Sequence, residues 1–330
     1  MSKDIFAAST LALVAPIIAV GAVWYVSEIF VATDPPTETV TPVAALSEAA
    51  QDPEVEDSVS ATAPALAAAS EMPQGPLFVA RNFAVESYDS KASAAFMVHP
   101  KSGEALFNNN AHEVRSIASL SKLMAALVAV EGLDEDAAFT VSEKAGTTKG
   151  KSAGLVSGET IVVEDALFAA LLESGNDAVV ALEDYYNALH PSSEGSAFVA
   201  RMNALAKERG LSNTSFVEPT GLSASNKSTA FEVAKLMEYA YSNATLRTIL
   251  GVPRYATPTH SWETTNTLLN KEPGIVGAKT GFTEEAGQSL ALVGVTEGGE
   301  AVIMVVLDAK GDRIAEGAAM WRWVQEAYAW

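Results

Sequence analysis

Hydrophobic and polar positions divide the chain into three stretches of different character. From Ile5 to Val26 no charged residue occurs, and Ala, Val, Leu and Ile predominate. A helix rising about 1.5 Å per residue makes such a run about as long as a bilayer's hydrocarbon core is thick. Residues 1–32 are therefore expected to form a membrane anchor, with Trp24 and Tyr25 at one interface, Lys3 on the near side, and Glu28 and Asp34 beyond. The competing reading is a secretory signal cleaved after the small residues Val20-Gly21-Ala22. Apolar residues continue past that point, which favours the anchor, and on either reading the rest of the chain is exported.

Residues 33–77 lose the apolar run and consist mainly of Ala, Pro, Thr, Ser, Glu and Asp, with no Lys or Arg between Lys3 and Arg81. Too few large apolar groups are present to offset the entropy of ordering, so a disordered acidic tether is expected. Its prolines and like charges favour an extended chain.

The globular pattern begins near Phe78 and continues to the end, residues 78–330. Ala94–Val98 and Glu104–Phe107 flank the turn His99-Pro100-Lys101-Ser102-Gly103, which predicts a hairpin. Ser289–Val295 and Ala301–Leu307 flank Glu297-Gly298-Gly299-Glu300 and predict a second. Between them the period changes. Stretches Ser119–Val130, Val163–Leu172, Asp177–Leu189, Glu194–Arg209 and Ala230–Tyr241 carry apolar residues at spacings of three and four, the helical repeat. Ile314, Ala318, Trp321, Val324 and Tyr328 share that spacing and predict a last helix packed on the sheet; few Lys or Arg lie on it, which disfavours a membrane-surface helix. The expected fold is α/β of the α+β type: an antiparallel sheet flanked by helices, with an all-helical insert.

Composition narrows the chemistry. The 330 residues suffice for a large core. With no cysteine, disulfides, thiolate metal sites and cysteine nucleophiles are excluded, so covalent chemistry falls to Ser, Thr, Lys or a carboxylate. His99, His112, His190 and His260 are scattered singly, without the spacing of a zinc site, and neither a metal nor a cofactor is expected. The net charge of −20 argues against nucleic acid as a partner.

Three short polar stretches stand out against this background. Ser119-Leu120-Ser121-Lys122 opens an apolar helix, and a separation of three puts the hydroxyl and the amine on one face. A lysine at the positive end of a helix dipole is unfavourable unless it has a partner or a task. If burial or a nearby cation lowers its pKa, it becomes a base able to activate the serine. Ser174-Gly175-Asn176 lies in a turn between two helical patterns, where by itself it reads as a helix stop and cap. Lys279-Thr280-Gly281-Phe282 precedes the strand at Ser289, and alone it reads as a turn beside an exposed edge strand. Ala145–Ser152 has the look of a phosphate loop, but Ala145 stands where its first glycine belongs, and the stretch is assigned to the surface.

Taken in this order, the three stretches resemble the signature of penicillin-binding proteins and beta-lactamases. The resemblance to the low-molecular-weight penicillin-binding proteins of the serine D-alanyl-D-alanine carboxypeptidase family extends from about Phe78 to near the C-terminus. It includes Arg115-Ser116-Ile117-Ala118, Phe216–Leu222, Asn226–Ala230, Thr265–Leu269 and Ala286-Gly287. It implies a beta-lactamase/transpeptidase-like fold. It further implies Ser119 as nucleophile, Lys122 as its base, Ser174 as a proton relay, and Asn176 bonding Lys122 and the substrate amide. Lys279 would add charge that keeps Lys122 unprotonated and, with Thr280, would hold the substrate carboxylate, and Gly281 and Phe282 would complete the substrate-binding stretch. The oxyanion would lie against the backbone N–H groups of Ser119 and Phe282. The implied partners are peptidoglycan stem peptides, beta-lactam antibiotics as covalent inhibitors, and the membrane through the N-terminal segment, in the bacterial envelope outside the cytoplasm. An endopeptidase cutting cross-links, a beta-lactamase and a catalytically silent wall-binding module stand as alternatives. For a beta-lactamase, Ser-Gly-Asn replaces the usual Ser-Asp-Asn and no water-activating carboxylate is evident. Several relatives carry an additional C-terminal beta domain, which is not expected in this chain.

Overall fold

Strand alternation sorts the central apolar residues onto two faces of one sheet. The computed structural model describes residues 79–330, and in it five antiparallel strands form that sheet: β1 (Ala92–His99), β2 (Glu104–Asn109), β3 (Ile275–Thr283), β4 (Gly287–Val295) and β5 (Ala301–Ala309). Their spatial order is β3-β4-β5-β1-β2. Both predicted hairpins are present, each strand slightly longer than its apolar run. Successive side chains of a strand point to opposite faces. Ala94, Phe96, Ala291, Val293, Ile303 and Val305 accordingly join one core, and Ala95, Met97, Leu290, Leu292, Met304 and Val306 join another.

The first core is closed by helices α1 (Ser121–Gly132), α2 (Val163–Leu171), α3 (Asn176–Leu189), α4 (Ala197–Glu208), α5 (Ala230–Ser242) and α6 (Ala244–Gly251). All six fall between β2 and β3 in the chain, which is the predicted helical insert, and α5 packs directly on β1 and β5. The second core is closed by α7 (Arg313–Ala327), capped by Asp312, whose carboxylate accepts from the Ile314 N–H. Trp321 of α7 is fully buried, and its indole N–H donates to the Pro273 carbonyl at 2.8 Å. Its ring occupies the space above Gly294, where a Cβ would come within 2.5 Å of it. Gly294 thus leaves room for the largest side chain in that layer.

Three details differ from the periodicity. The Lys279-Thr280-Gly281 stretch lies within the edge strand β3 rather than in a turn before a strand, because Gly277, Ala278 and Gly281 lack the branched bulk that marks strands in a sequence. Helix α6 is short, and only Asn243, which accepts from the Leu246 N–H, announces it. The helix expected from Ser119 starts at Ser121, preceded by a 3-10 turn at Ala118–Leu120. The expected anchor at 1–32 and tether at 33–77 lie outside the described residues. Among the described residues no helix is long and apolar enough to cross a membrane.

Candidate active site

The edge strand, the turn before α1 and the turn before α3 converge at one place. Ser119 sits in the 3-10 turn, half-buried, after Ala118, whose φ of 47° is in the left-handed region. Such a backbone is uncommon outside glycine and is held only by its surroundings. Here Gly221 (φ 84°) lies against it: a Cβ at 221 would fall 2.0 Å from the Ala118 carbonyl oxygen. One turn on, the fully buried Lys122 places Nζ 3.0 Å from Ser119 Oγ, 2.7 Å from Asn176 Oδ1 and 2.6 Å from the Thr220 carbonyl oxygen.

Burial pushes the Lys122 pKa down to about 7, against the opposing charges of Glu218 and Asp177. Lys279, also fully buried, is held well below its ordinary value, first by burial and then by the positive charges of Lys122 and Arg313. Desolvation is therefore the leading cause for both amines, whereas the sequence reading emphasised the charge of Lys279 acting on Lys122. Lys279 Nζ donates to Ser174 Oγ at 2.8 Å and to the Thr280 carbonyl at 2.8 Å. Ser174, like Ala118, has a left-handed backbone, φ 61°.

Between Ser174 and Asn176 there is no space for a side chain, since a Cβ on Gly175 would approach Ala153 Cβ to 2.6 Å. This contact explains why Gly stands at the middle position. Asn176 Nδ2 donates to the Lys149 carbonyl at 2.9 Å, and the Asn176 N–H to the Lys151 carbonyl at 2.7 Å. The loop assigned to the surface is exposed at Lys149, Gly150 and Lys151, yet its backbone holds one wall of the site. Asp177 fastens the same loop, accepting from Ser152 Oγ and from the N–H groups of Ala153, Gly154 and Leu155.

On the opposite wall Thr280 is buried, with Oγ1 2.6 Å from Thr265 Oγ1. Gly281 brings β3 close enough that a Cβ there would lie 3.0 Å from the Ile117 carbonyl oxygen and 3.3 Å from the Ser119 nitrogen. Phe282 projects outward, 58% exposed. The structure thus gathers Ser119, Lys122, Ser174, Asn176, Lys279, Thr280 and Gly281 from three distant parts of the chain, with Phe282 at the rim.

Three contributors escaped the sequence reading. The Thr220 carbonyl is a backbone group, which no residue type announces. Glu218 organises the turn that presents it. Arg313, at the start of α7, is half-buried and sends Nη1 to the Gly281 carbonyl at 3.4 Å, while its buried Nε has no hydrogen-bond partner among the described residues. Only a cation placed next to a helix-capping Asp hinted at it. Among the described residues no cluster of His, Cys, Asp and Glu is arranged to hold a metal ion.

A serine and a depressed lysine at the junction of an antiparallel sheet and a helical domain define a serine peptidase of the penicillin-binding fold. The chain belongs to the D-alanyl-D-alanine carboxypeptidase family, whose description matches residues 81–311. It is 34% identical over 207 residues to a D-alanyl-D-alanine carboxypeptidase of Bacillus subtilis, covering 59% of this chain and about half, 52%, of that protein. It is 32% identical to a D-alanyl-D-alanine endopeptidase of Escherichia coli, covering 71% of this chain and 77% of the relative. The crystal structure of the Streptomyces K15 DD-transpeptidase superposes with a TM-score of 0.67 at 28% identity, covering 73% of this chain and 99% of that one.

Proposed function

We propose that the domain is a serine D-alanyl-D-alanine carboxypeptidase that trims the terminal D-alanine of peptidoglycan stem peptides through an acyl-enzyme on Ser119. The observation that carries this reading is the hydrogen-bond count at Lys122. A neutral amine has two N–H donors and one lone pair. Asn176 Oδ1 and the Thr220 carbonyl oxygen can only accept, so they take the two donors. The lone pair is left for the Ser119 hydroxyl at 3.0 Å. Lys122 then removes the proton as Ser119 Oγ attacks the carbonyl carbon between the two D-alanines.

The developing oxyanion lies against the N–H groups of Ser119 and Phe282, donors that the backbone holds in place before the reaction. The proton taken by Lys122 is returned to the departing amine by way of the Ser174 hydroxyl, which receives one proton as it gives up another, and the substrate carboxylate rests by Lys279, Thr280 and the positive charge of Arg313. Asn176 retains one amide N–H for the substrate. Water hydrolyses the ester in a second step. Beta-lactams acylate the same serine.

The domain works outside the cytoplasm in the cell envelope, held to the membrane by residues 5–26 and spaced from it by residues 33–77. Carbonate-resistant membrane association that is lost on deleting residues 1–32 tests this arrangement. The same chemistry on a cross-link gives the endopeptidase reading, favoured by the coverage of the Escherichia coli relative. Digestion of pentapeptide and of cross-linked muropeptides, followed by mass measurement, discriminates: loss of one alanine residue from pentapeptide supports the carboxypeptidase, whereas monomers released only from cross-links overturn it.

A further inference from the structure

The turn that supplies the Thr220 carbonyl is built around a single carboxylate. Glu218 Oε2 accepts from the Thr220 N–H at 2.7 Å and the Thr220 hydroxyl at 2.5 Å. Glu218 Oε1 accepts from the Gly221 N–H at 2.9 Å, the Ser223 N–H at 3.1 Å and Asn226 Nδ2 at 3.0 Å. Asn226 is wholly buried and carries the arrangement onward to Ser121 Oγ, at 3.0 Å, on the turn of helix next to Lys122. Five donors converge on two oxygens.

We propose that Glu218 is a positioning residue for the acyl-transfer reaction: its carboxylate clamps residues 218–223 so that the Thr220 carbonyl holds one Lys122 hydrogen and turns the amine lone pair toward Ser119. The inference rests on the reading of Ser119 and Lys122 as nucleophile and base. Without the clamp the Thr220–Gly221 peptide is free to rotate. Because Gly221 packs on the Ala118 carbonyl, that rotation disturbs the Ser119 turn as well.

The same carboxylate also contributes charge. The charged groups that act on Lys122 are Glu218 and Asp177, the latter in the first turn of α3, while Lys279 across the cleft on β3 is itself pushed down by the charge of Lys122. Asp177 is spent on the 152–155 loop, and Lys279 has the same sign as Lys122. Glu218 is thus the stronger of the two carboxylate charges that favour the protonated amine. Removing it makes Lys122 easier to deprotonate while loosening its aim.

These two effects separate in a pH profile. The rate constant for acylation by a fluorescent penicillin is measured from pH 5 to 9 on the wild-type chain, Glu218→Gln, Glu218→Asp and Thr220→Val, with folding checked by circular dichroism. Gln keeps the size but sets an amide NH2 against the N–H donors, so the plateau rate should fall on the order of 10-fold to 100-fold. Its acid limb should move to lower pH, by roughly half a unit for a partly solvated charge. Glu218→Asp keeps the charge and should leave the limb in place with a lowered plateau. Thr220→Val keeps the charge and the carbonyl but removes the hydroxyl that bonds Glu218 and accepts from the Leu222 N–H, and it should lose plateau rate by a smaller factor.

A Glu218→Gln profile that keeps the wild-type plateau, or loses plateau with the limb unmoved, overturns the proposal. If Glu218→Gln does not fold, a wild-type plateau in Thr220→Val overturns it equally. Failure of the wild-type chain to label at all would instead overturn the nucleophile assignment, so the two failures are distinguishable.

Discussion

Gly281 and Ser119 belong to segments separated by more than half the described chain, yet a Cβ on Gly281 would stand 3.3 Å from the Ser119 nitrogen. The edge strand runs over the serine turn at the limit of van der Waals contact. At Gly281 no positive φ is involved, and the glycine serves close approach alone. At Gly221 both apply, since φ is 84° and a Cβ would overlap the Ala118 carbonyl oxygen at 2.0 Å. A graded outcome is expected in penicillin labelling. Gly281→Ala shifts its neighbours by tenths of an ångström and slows acylation about 10-fold with little change in melting temperature. Gly221→Ala costs on the order of 2 kcal/mol in stability and loses most labelling. Equal rates in the two variants would contradict the packing described.

Ser119→Ala should abolish covalent labelling while leaving the fold intact, because among the described residues the hydroxyl bonds to the Lys122 amine alone. Lys122→Met should lower acylation by roughly 100-fold to 10,000-fold, the usual worth of a positioned general base. Intact-mass measurement after incubation with penicillin checks both, and a stoichiometric adduct on Ser119→Ala would place the nucleophile elsewhere.

The depressed Lys122 fixes two pH dependences of known sign. Its amine is a base only when unprotonated, so acylation should rise through about pH 7 and level off above it. Lys279 is shifted in the same direction, and the observed limb belongs to the pair. For stability, below about pH 7 both the folded and the unfolded chain hold the proton, and the folded state carries the full cost of a buried charge. Between there and the ordinary lysine pKa near 10, the unfolded chain binds the extra proton. Stability from this group then rises with pH, by roughly a kcal/mol per unit at most. Urea unfolding at pH 6 to 9 should show the advantage of Lys122→Met over wild type shrinking as pH rises; a constant difference would speak against a neutral buried amine.

Beta-lactam acyl-enzyme should persist. Rapid hydrolysis needs a carboxylate free to activate water, but both carboxylates that act on Lys122 are committed, Glu218 to five donors and Asp177 to the 152–155 loop. Mass spectra taken over time after a single penicillin dose should retain the adduct for many minutes. Turnover within seconds would mean that another group activates water.

Away from the cleft, Trp321→Ala should destabilise the fold by about 3 to 5 kcal/mol, since it empties the space over Gly294 and leaves the Pro273 carbonyl without its donor. The melting temperature should fall, while the folded fraction at low temperature should label at the wild-type rate. Loss of labelling in still-folded protein would reveal coupling from the far core to the site.

The apolar patterning by itself determined the two hairpins, five helices of the insert and the last helix, because a period of 2 or 3.6 is imposed by burying one face and survives in any sequence that does so. The candidate site was legible only as a family resemblance, in the order of Ser119-x-x-Lys122, Ser174-Gly175-Asn176 and Lys279-Thr280-Gly281. Tertiary structure alone decided what those groups do to one another. Full burial of two amines, not their sequence spacing, lowers both pKa values. The Thr220 carbonyl, the Glu218 clamp and the Arg313 contact with the Gly281 carbonyl became visible only after folding, since a backbone oxygen has no letter of its own and an exposed-looking Glu or Arg shows its partners only in three dimensions. The edge strand escaped for a related reason: small residues let it approach Ser119 closely, and small residues leave no hydrophobic period to read.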